Sequence, residues 1–372
     1  MWQLPPAEML RRMAVAVLAV LVVLLFAEIL TRVVIGWSHP PQSHSAQFDQ
    51  KRYLARLPVK NNLKTVFFLG DSQMKYGVYP EAFLRVLHQS GMTYNAQNLA
   101  TDSATPELNL FLLETAIEAG ANPGLVVLNV SPVTFSQLHQ QQPALNALEK
   151  FSESYVGRCV YQLSHNPASK LRCALEEHSM LFRHRGYFRQ QLRPVLQTVL
   201  NPLQALQKYR LEAMAGVVET EFSPNGWAPG YGVFTQKQFE EKFASPMPVS
   251  AEIKSLLENY HYEWSDASLK ELAAFCKEKN IPLLLVWLPR HPAWFTAYGF
   301  LNVDSQTESH IARRITALQD WENVWVLDLH TRDADSTHYY DPNHANVSGA
   351  LHHTQMLAKE MLIPPYRKLL QP

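Results

Sequence analysis

An α/β protein of three layers, with helices over both faces of a parallel sheet of about five strands, is the fold class the sequence predicts. Strand-like runs at 65–70, 94–99, 125–131, 281–288 and 324–329 alternate with helical periodicity around 80–90, 106–119, 265–279, 306–319 and 347–362. Strands that alternate with helices form parallel sheets covered on both sides. Val66-Phe67-Phe68-Leu69 and Leu125-Val126-Val127-Leu128 are apolar without interruption, as strands buried on both faces are. The chain has 372 residues, 47% apolar and 18% charged, enough to close a full core.

The elements follow in order. Met13 to Ala27 is an unbroken apolar run, extended by Ile29-Leu30 and Val33-Val34-Ile35, and about 20 such residues span a bilayer as a helix. Residues 13–37 therefore read as a membrane anchor. Arg11 and Arg12 place residues 1–12 in the cytoplasm and the remainder outside it, as in a single-pass protein of a bacterial inner membrane with its domain in the periplasm. Glu28 and Arg32, four apart, can pair on one helix face. A cleaved signal peptide is the competing reading, although Leu25-Phe26-Ala27 lacks the small-x-small pattern of a cleavage site; a buried soluble helix is a third.

Residues 38–62, rich in Pro, Ser, Gln and His, read as a stalk. The α/β domain takes up 63–134 and 262–372. Pro282 at the head of the fourth strand fits, because a strand's first residue tolerates proline. Residues 135–261 are too many for a crossover and read as an insertion, mainly helical to about 218 and then turn-rich through Ser223–Tyr231. Lys plus Arg and Asp plus Glu both number 33, so no global field favours nucleic acid. Cys159 and Cys173 can close a short disulfide loop beside a lone Cys276, or all three are unpaired small apolar residues.

Chemistry concentrates at two junctions. Gly70-Asp71-Ser72 follows the first strand, and Asp341-Pro342-Asn343-His344 precedes the last helix. A serine hydroxyl is a weak nucleophile until an imidazole takes its proton and a carboxylate fixes the imidazole's tautomer. Ser72, His344 and Asp341 can fill those roles in that order. The plainer readings are an N-cap at Asp71-Ser72 and an ordinary loop histidine at His344.

These blocks resemble the SGNH, or GDSL-like, hydrolase superfamily, over roughly 64–132 and 281–362. The resemblance implies an SGNH-hydrolase-like, flavodoxin-like sheet and a catalytic Ser72, Asp341 and His344. It also implies an oxyanion hole drawn from Ser72, from Ser103 in the place of the family's second-block glycine, and from either Asn129 or Ser131 in the place of its third-block asparagine. His344-Ala345-Asn346-Val347-Ser348-Gly349 is similar to the continuation found in membrane-anchored members related to polysaccharide O-acetylation and D-alanyl-teichoic-acid transfer proteins. The implied function is an extracytoplasmic serine acyltransferase or esterase, with a polysaccharide or other acylated glycan as substrate and a multi-pass membrane acyltransferase as partner. No cofactor or metal is implied. The alternatives are an esterase that only hydrolyses and a catalytically silent scaffold of an envelope polysaccharide assembly complex.

Arg290 and His291, after the fourth strand, and Trp227 are further candidates for substrate contact. Trp227, Tyr231, Tyr260, Tyr262 and Trp264 are either sugar platforms or core. Arg185, Arg189 and Arg193 form a basic stripe for anionic lipid or acidic glycan, or a solvated face. His330, His338, His344, His352 and His353 crowd the C-terminal region, but their spacing fits no standard zinc pattern.

Overall fold

In the computed structural model of the full chain, the described residues are 7–38, 46–57, 63–102, 104–131, 179, 225–230, 232–247, 265–299 and 305–370. They fall into two units, one drawn from residues 1–45 and 150–217, the other from 46–149 and 218–372. Of the insertion, 225–230 and 232–247 are described, apart from Ser179; its expected helical part and its arginine stripe lie outside the described residues. So do Ser103, Cys159, Cys173, Tyr231, Tyr260, Tyr262 and Trp264.

The first unit contains α1 (Ala7–Ser38). Its Ala14–Val33 stretch is 20 residues long and apolar enough to cross a membrane, and Val15, Leu18, Val22, Leu25, Phe26 and Ile29 all lie exposed along it. Arg32 and Glu28 pair at 2.9 Å, as their spacing allows. Glu28 also accepts from Ser179 Oγ at 2.8 Å.

The second unit begins with α2 (Ala46–Arg56), β1 (Thr65–Leu69), α3 (Ser72–Gly77), α4 (Pro80–Gln89), β2 (Asn95–Asn98), α5 (Pro106–Glu118) and β3 (Pro123–Asn129). It continues with α6 (Gln236–Lys242), α7 (Ala267–Glu278), β4 (Leu283–Trp287), α8 (Trp294–Ala297), α9 (Ser305–Ala317) and β5 (Val324–Asp328). A hairpin, β6 (Tyr339–Asp341) and β7 (His344–Ala345), and then α10 (Val347–Met361) follow. Pro80 and Pro106 open their helices, where the missing N–H has no helical partner in any case. Asn346 caps α10, its side chain accepting the Gly349 N–H at 3.0 Å.

The strand order is β2-β1-β3-β4-β5, and every pairing in that sheet is parallel. Crossovers between parallel strands are right-handed. The chain steps one way from β1 to β2 and the other way from β2 to β3, so α4 and α5 cover opposite faces. Val66, Phe68, Val127, Leu284 and Val286 pack on one face with Phe83 and Leu87 of α4 and Leu357, Ala358 and Met361 of α10. On the other side α5 packs against α7 and α2.

Residues 46–57 correct the expected stalk. They contain α2, which buries Leu54, Ala55 and Lys51 against the α/β unit; a short helix rich in polar residues gave no periodic signal. The second correction is to the insertion boundary, because 225–247 folds with the same unit.

Gly70 ends β1 at φ +139°, a conformation open to glycine, and a Cβ there would stand 2.8 Å from Cβ of Asn129. Gly70→Ala is therefore expected to destabilise the second unit by about 3 kcal/mol from backbone strain and overpacking. Denaturant unfolding followed by tryptophan fluorescence measures it, and a loss under about 0.5 kcal/mol contradicts it.

Candidate active site

In an open parallel sheet, ligands collect beyond the carboxyl ends of the strands where the strand order reverses. Here that point lies between β1 and β3. Gly70-Asp71 carries the chain off β1, and Ser72 is the first residue of α3. Asp71 holds this turn. Its Oδ1 accepts the Gln73 N–H and Asn129 Nδ2, each at 3.0 Å, and its Oδ2 accepts from Ser131 Oγ at 2.9 Å. The Gly70 N–H donates to Asn109 Oδ1 at 2.9 Å. Asp71 is thus the N-cap of α3 and also a clamp between β1 and β3.

The second half of the site comes from the β6–β7 hairpin. Asp341 Oδ1 accepts the N–H groups of Asn343 at 2.8 Å and His344 at 2.9 Å, so the carboxylate folds its own turn. The His291 N–H donates to Pro342 O at 3.1 Å, tying the hairpin to the segment after β4. His344 Nδ1 lies 2.8 Å from Asp341 Oδ2, and its Nε2 lies 2.7 Å from Ser72 Oγ. Residues 272 positions apart therefore form one hydrogen-bonded line of hydroxyl, imidazole and carboxylate.

Aromatic rings fix the imidazole plane. Tyr340 stacks on it, with centroids 5.4 Å apart and planes 10° apart, and Tyr76 meets it edge-on at 5.5 Å. Burial pulls the pKa of His344 down. The Asp341 carboxylate, backed by the charges of Asp102 and Asp71, outweighs this and leaves it above the ordinary 6.5.

Several residues expected at the site are engaged elsewhere. Asn129, fully buried, gives its Nδ2 to Asp71 and to Gln73 Oε1 at 3.2 Å and accepts the Leu288 N–H on Oδ1 at 3.3 Å. Ser131 is spent on the same Asp71. Both side chains therefore serve the clamp, which corrects the expectation that one of them faces an oxyanion. Ser72's own backbone N–H stands beside the nucleophile by covalent geometry.

Arg290 is buried among Trp287, Trp294 and Phe295, with its guanidinium 4.0 Å from the Trp294 ring centroid and in contact with the Glu308 carboxylate. Burial pulls its pKa down to about 9. Buried His291 accepts the Ala293 N–H at Nδ1 and meets Ser336 Oγ at Nε2, 3.1 Å away. Trp227 donates to Tyr76 O at 3.0 Å and packs on Tyr79, with centroids 4.5 Å apart. All three are 8% exposed or less, so they hold the frame of the site and offer little surface to a substrate.

Other participants escaped the sequence reading. Lys51 of α2, 1% exposed, donates to Asn98 O at 2.6 Å and to Gly226 O. It thereby staples the end of β2 to a strap, residues 225–230, that also meets α3 through Trp227. Gly226, at φ +87°, lies so close to this strand end that a Cβ would stand 2.2 Å from Asn98 O. Lys75, one turn after Ser72, donates to Asp102 Oδ2 at 2.9 Å and to Tyr76 OH at 2.7 Å. A lone lysine in a polar helix carries no periodic signal that it is buried.

Among the described residues, ligand atoms of Asp333, His338 and His352 lie within 4.8 Å of one another. Asp333 Oδ2 there is shared by His338 Nδ1 and His353 Nε2, each at 2.8 Å. The His338 and His352 rings are stacked, 24° apart with centroids 4.7 Å apart. The cluster joins the segment before β6 to α10.

A parallel α/β protein with a hydrogen-bonded serine, histidine and aspartate at its switch point is the class that fold and site define. Within it, the chain belongs to the family described as "Protein of unknown function (DUF1574)", whose model matches residues 13–361. No curated protein matches it. Among solved structures, it is similar to a Bacteroides fragilis protein described provisionally as an acylhydrolase. The two are 13% identical with a TM-score of 0.32, the match covering 84% of this chain and 95% of that one; a likeness that loose says nothing of chemistry.

Asp71→Ala removes a helix cap and leaves Asn129 Nδ2 and Ser131 Oγ without this acceptor. It is expected to cost about 3 kcal/mol and to slow any reagent directed at Ser72. Denaturant unfolding and the labelling rate at Ser72 check both, and an unchanged labelling rate contradicts the clamp's role in aiming the serine.

Proposed function

We propose that this chain is a membrane-anchored serine enzyme that moves acyl groups through an acyl-Ser72 intermediate. The observation that carries the reading is the hydrogen-bonded line from Ser72 Oγ through His344 to Asp341. Ser72 Oγ attacks the acyl carbonyl carbon while its proton passes to His344 Nε2. Asp341 stabilises the imidazolium at Nδ1, and the Ser72 backbone N–H at the start of α3 donates to the oxygen that becomes negative. Collapse expels the donor's oxygen, which takes the proton from Nε2. In the second half an acceptor hydroxyl gives its proton to Nε2, bonds to the acyl carbon and returns Ser72 Oγ to its protonated form.

The acceptor we propose is a hydroxyl of a surface or secreted polysaccharide, reached from the periplasmic side of the inner membrane, with acyl groups supplied by a multi-pass membrane acyltransferase. Support comes from the 20-residue apolar stretch of α1 and from the resemblance of 344–349 to the anchored polysaccharide O-acetylation branch.

Full-length protein in detergent, treated with a fluorophosphonate, is expected to carry the adduct on Ser72 and to lose it in Ser72→Ala. A chromogenic acetyl ester is expected to turn over faster when an oligosaccharide acceptor is present. Absence of any adduct at Ser72 in folded protein defeats the reading.

His344 must be neutral at Nε2 to accept the proton, and its pKa is raised. Reactivity is therefore expected to be complete above that pKa and lost as pH falls through it, with a midpoint above 6.5. A pH profile of the labelling rate with its midpoint below about 6 contradicts this.

A further inference from the structure

We infer that a directed chain of side-chain amides, Asn129 to Gln73 to Asn343, delivers an N–H to His344 Nε2 and sets the protonation state in which the base waits. The inference rests on the acyl-serine reading. It adds Asn343 as a catalytic residue, in contact with the reacting nitrogen, and Gln73 as a positioning residue.

The direction of the chain is fixed at its far end. The backbone N–H of Leu288 can only donate, and it meets Asn129 Oδ1 at 3.3 Å. The Asn129 amide therefore has one orientation, with its NH2 toward Asp71 Oδ1 at 3.0 Å and Gln73 Oε1 at 3.2 Å. Asp71 agrees, because an ionised carboxylate only accepts. With its oxygen taken, Gln73 turns its Nε2 to Asn343 Oδ1 at 3.0 Å. That leaves Asn343 Nδ2 facing His344 Nε2 at 3.3 Å. Asn129 and Gln73 are 0% and 4% exposed, so inside the chain a reversed amide has no water to compensate the mispaired groups.

An N–H facing Nε2 requires a lone pair there. Asp341 at Nδ1 demands the same tautomer from the opposite side of the ring. Two donors then share one lone pair, Ser72 Oγ at 2.7 Å and Asn343 Nδ2 at 3.3 Å. The shorter contact is the reacting one. The longer one opposes a resting proton on Nε2, since two N–H groups would then face each other.

The groups around His344 show what the amide works against. Asp341 lies on its own hairpin, with Tyr340 stacked on the ring. Asp71 precedes α3, and Tyr76 of α3 meets the ring edge-on. Asp102, in the loop after β2, is paired with Lys75 at 2.9 Å. Three carboxylates thus favour the imidazolium, and the Asn343 N–H holds Nε2 open as an acceptor for Ser72.

Asn343→Asp keeps the shape but turns the donor into an anionic acceptor. Gln73→Met deletes the link that orients Asn343 and adds no charge. Both are expected to move the midpoint of the Ser72 labelling profile to higher pH, by about 1 unit or more for Asn343→Asp and by less for Gln73→Met. Raising the pH restores the wild-type rate in each. A merely structural role lowers the plateau and leaves the midpoint in place.

Midpoints unmoved in Asn343→Asp, in protein that melts as the wild type does, overturn the relay. So does a shift in Asn343→Asp with none in Gln73→Met, because it reduces to the charge of the new carboxylate. If Gln73→Met does not fold, Asn343→Leu deletes the same N–H from the half-buried hairpin without adding charge, and must raise the midpoint. Histidine-selective ¹⁵N NMR of the full chain, with His344 assigned through His344→Gln, follows the same titration without any reaction at Ser72. A phosphonate that labels nothing defeats the acyl-serine reading while the NMR still tests the relay; a titration unmoved by these substitutions defeats the relay alone.

Discussion

The Asp71 carboxylate, buried between β1 and β3, is the constraint on which the candidate site depends. A buried carboxylate is costly unless its lone pairs are filled. Here a backbone N–H of α3, and an amide and a hydroxyl from the end of β3, fill them. The same contacts fix the turn from which Ser72 projects, so the cap of α3 and the aim of the nucleophile are one structural fact. Gly70 belongs to that arrangement, because any side chain at its position collides with Asn129.

The site is closed by elements remote in sequence. The β6–β7 hairpin brings His344 to Ser72, and its own carboxylate, Asp341, both shapes the turn and orients the imidazole. Behind α3, the strap 225–230 and α2 are stapled to the end of β2 through Lys51. An ammonium taken out of water is pushed toward its neutral form, and Lys51 is lowered well below its ordinary pKa by burial and by the nearby charge of Lys75. Carbonyl dipoles meet it on two sides. The helix that follows α1 in the chain and the strap 225–230 are therefore parts of the frame around Ser72.

The sheet was legible in the sequence because its signal is local. Continuous apolar runs in β1, β3 and β4 and the helical periodicity between strands each depend on neighbours in the chain, and all five strands lie where those runs lie. The α2 helix was not legible, since the helix is short and rich in polar residues, so that the buried Leu54 and Ala55 form no period. Asn129, Ser131, Arg290, His291 and Trp227 were legible as chemistry-bearing residues near strand ends or a turn. Whether such a side chain faces a cleft or a neighbour depends on contacts the sequence does not display.

By itself the sequence determined the parallel α/β class, the apolar N-terminal span, and the two short blocks that bear a serine, an acid and an imidazole. Periodicity and composition are properties of adjacent residues, so they survive without coordinates. Only the tertiary structure decided that 272 positions of separation close to 2.7 Å, that Asn129 and Ser131 serve a buried carboxylate, and that an amide chain ends on His344. Hydrogen bonds are made at about 3 Å, and at that range the partner of each donor is chosen by how the whole chain packs.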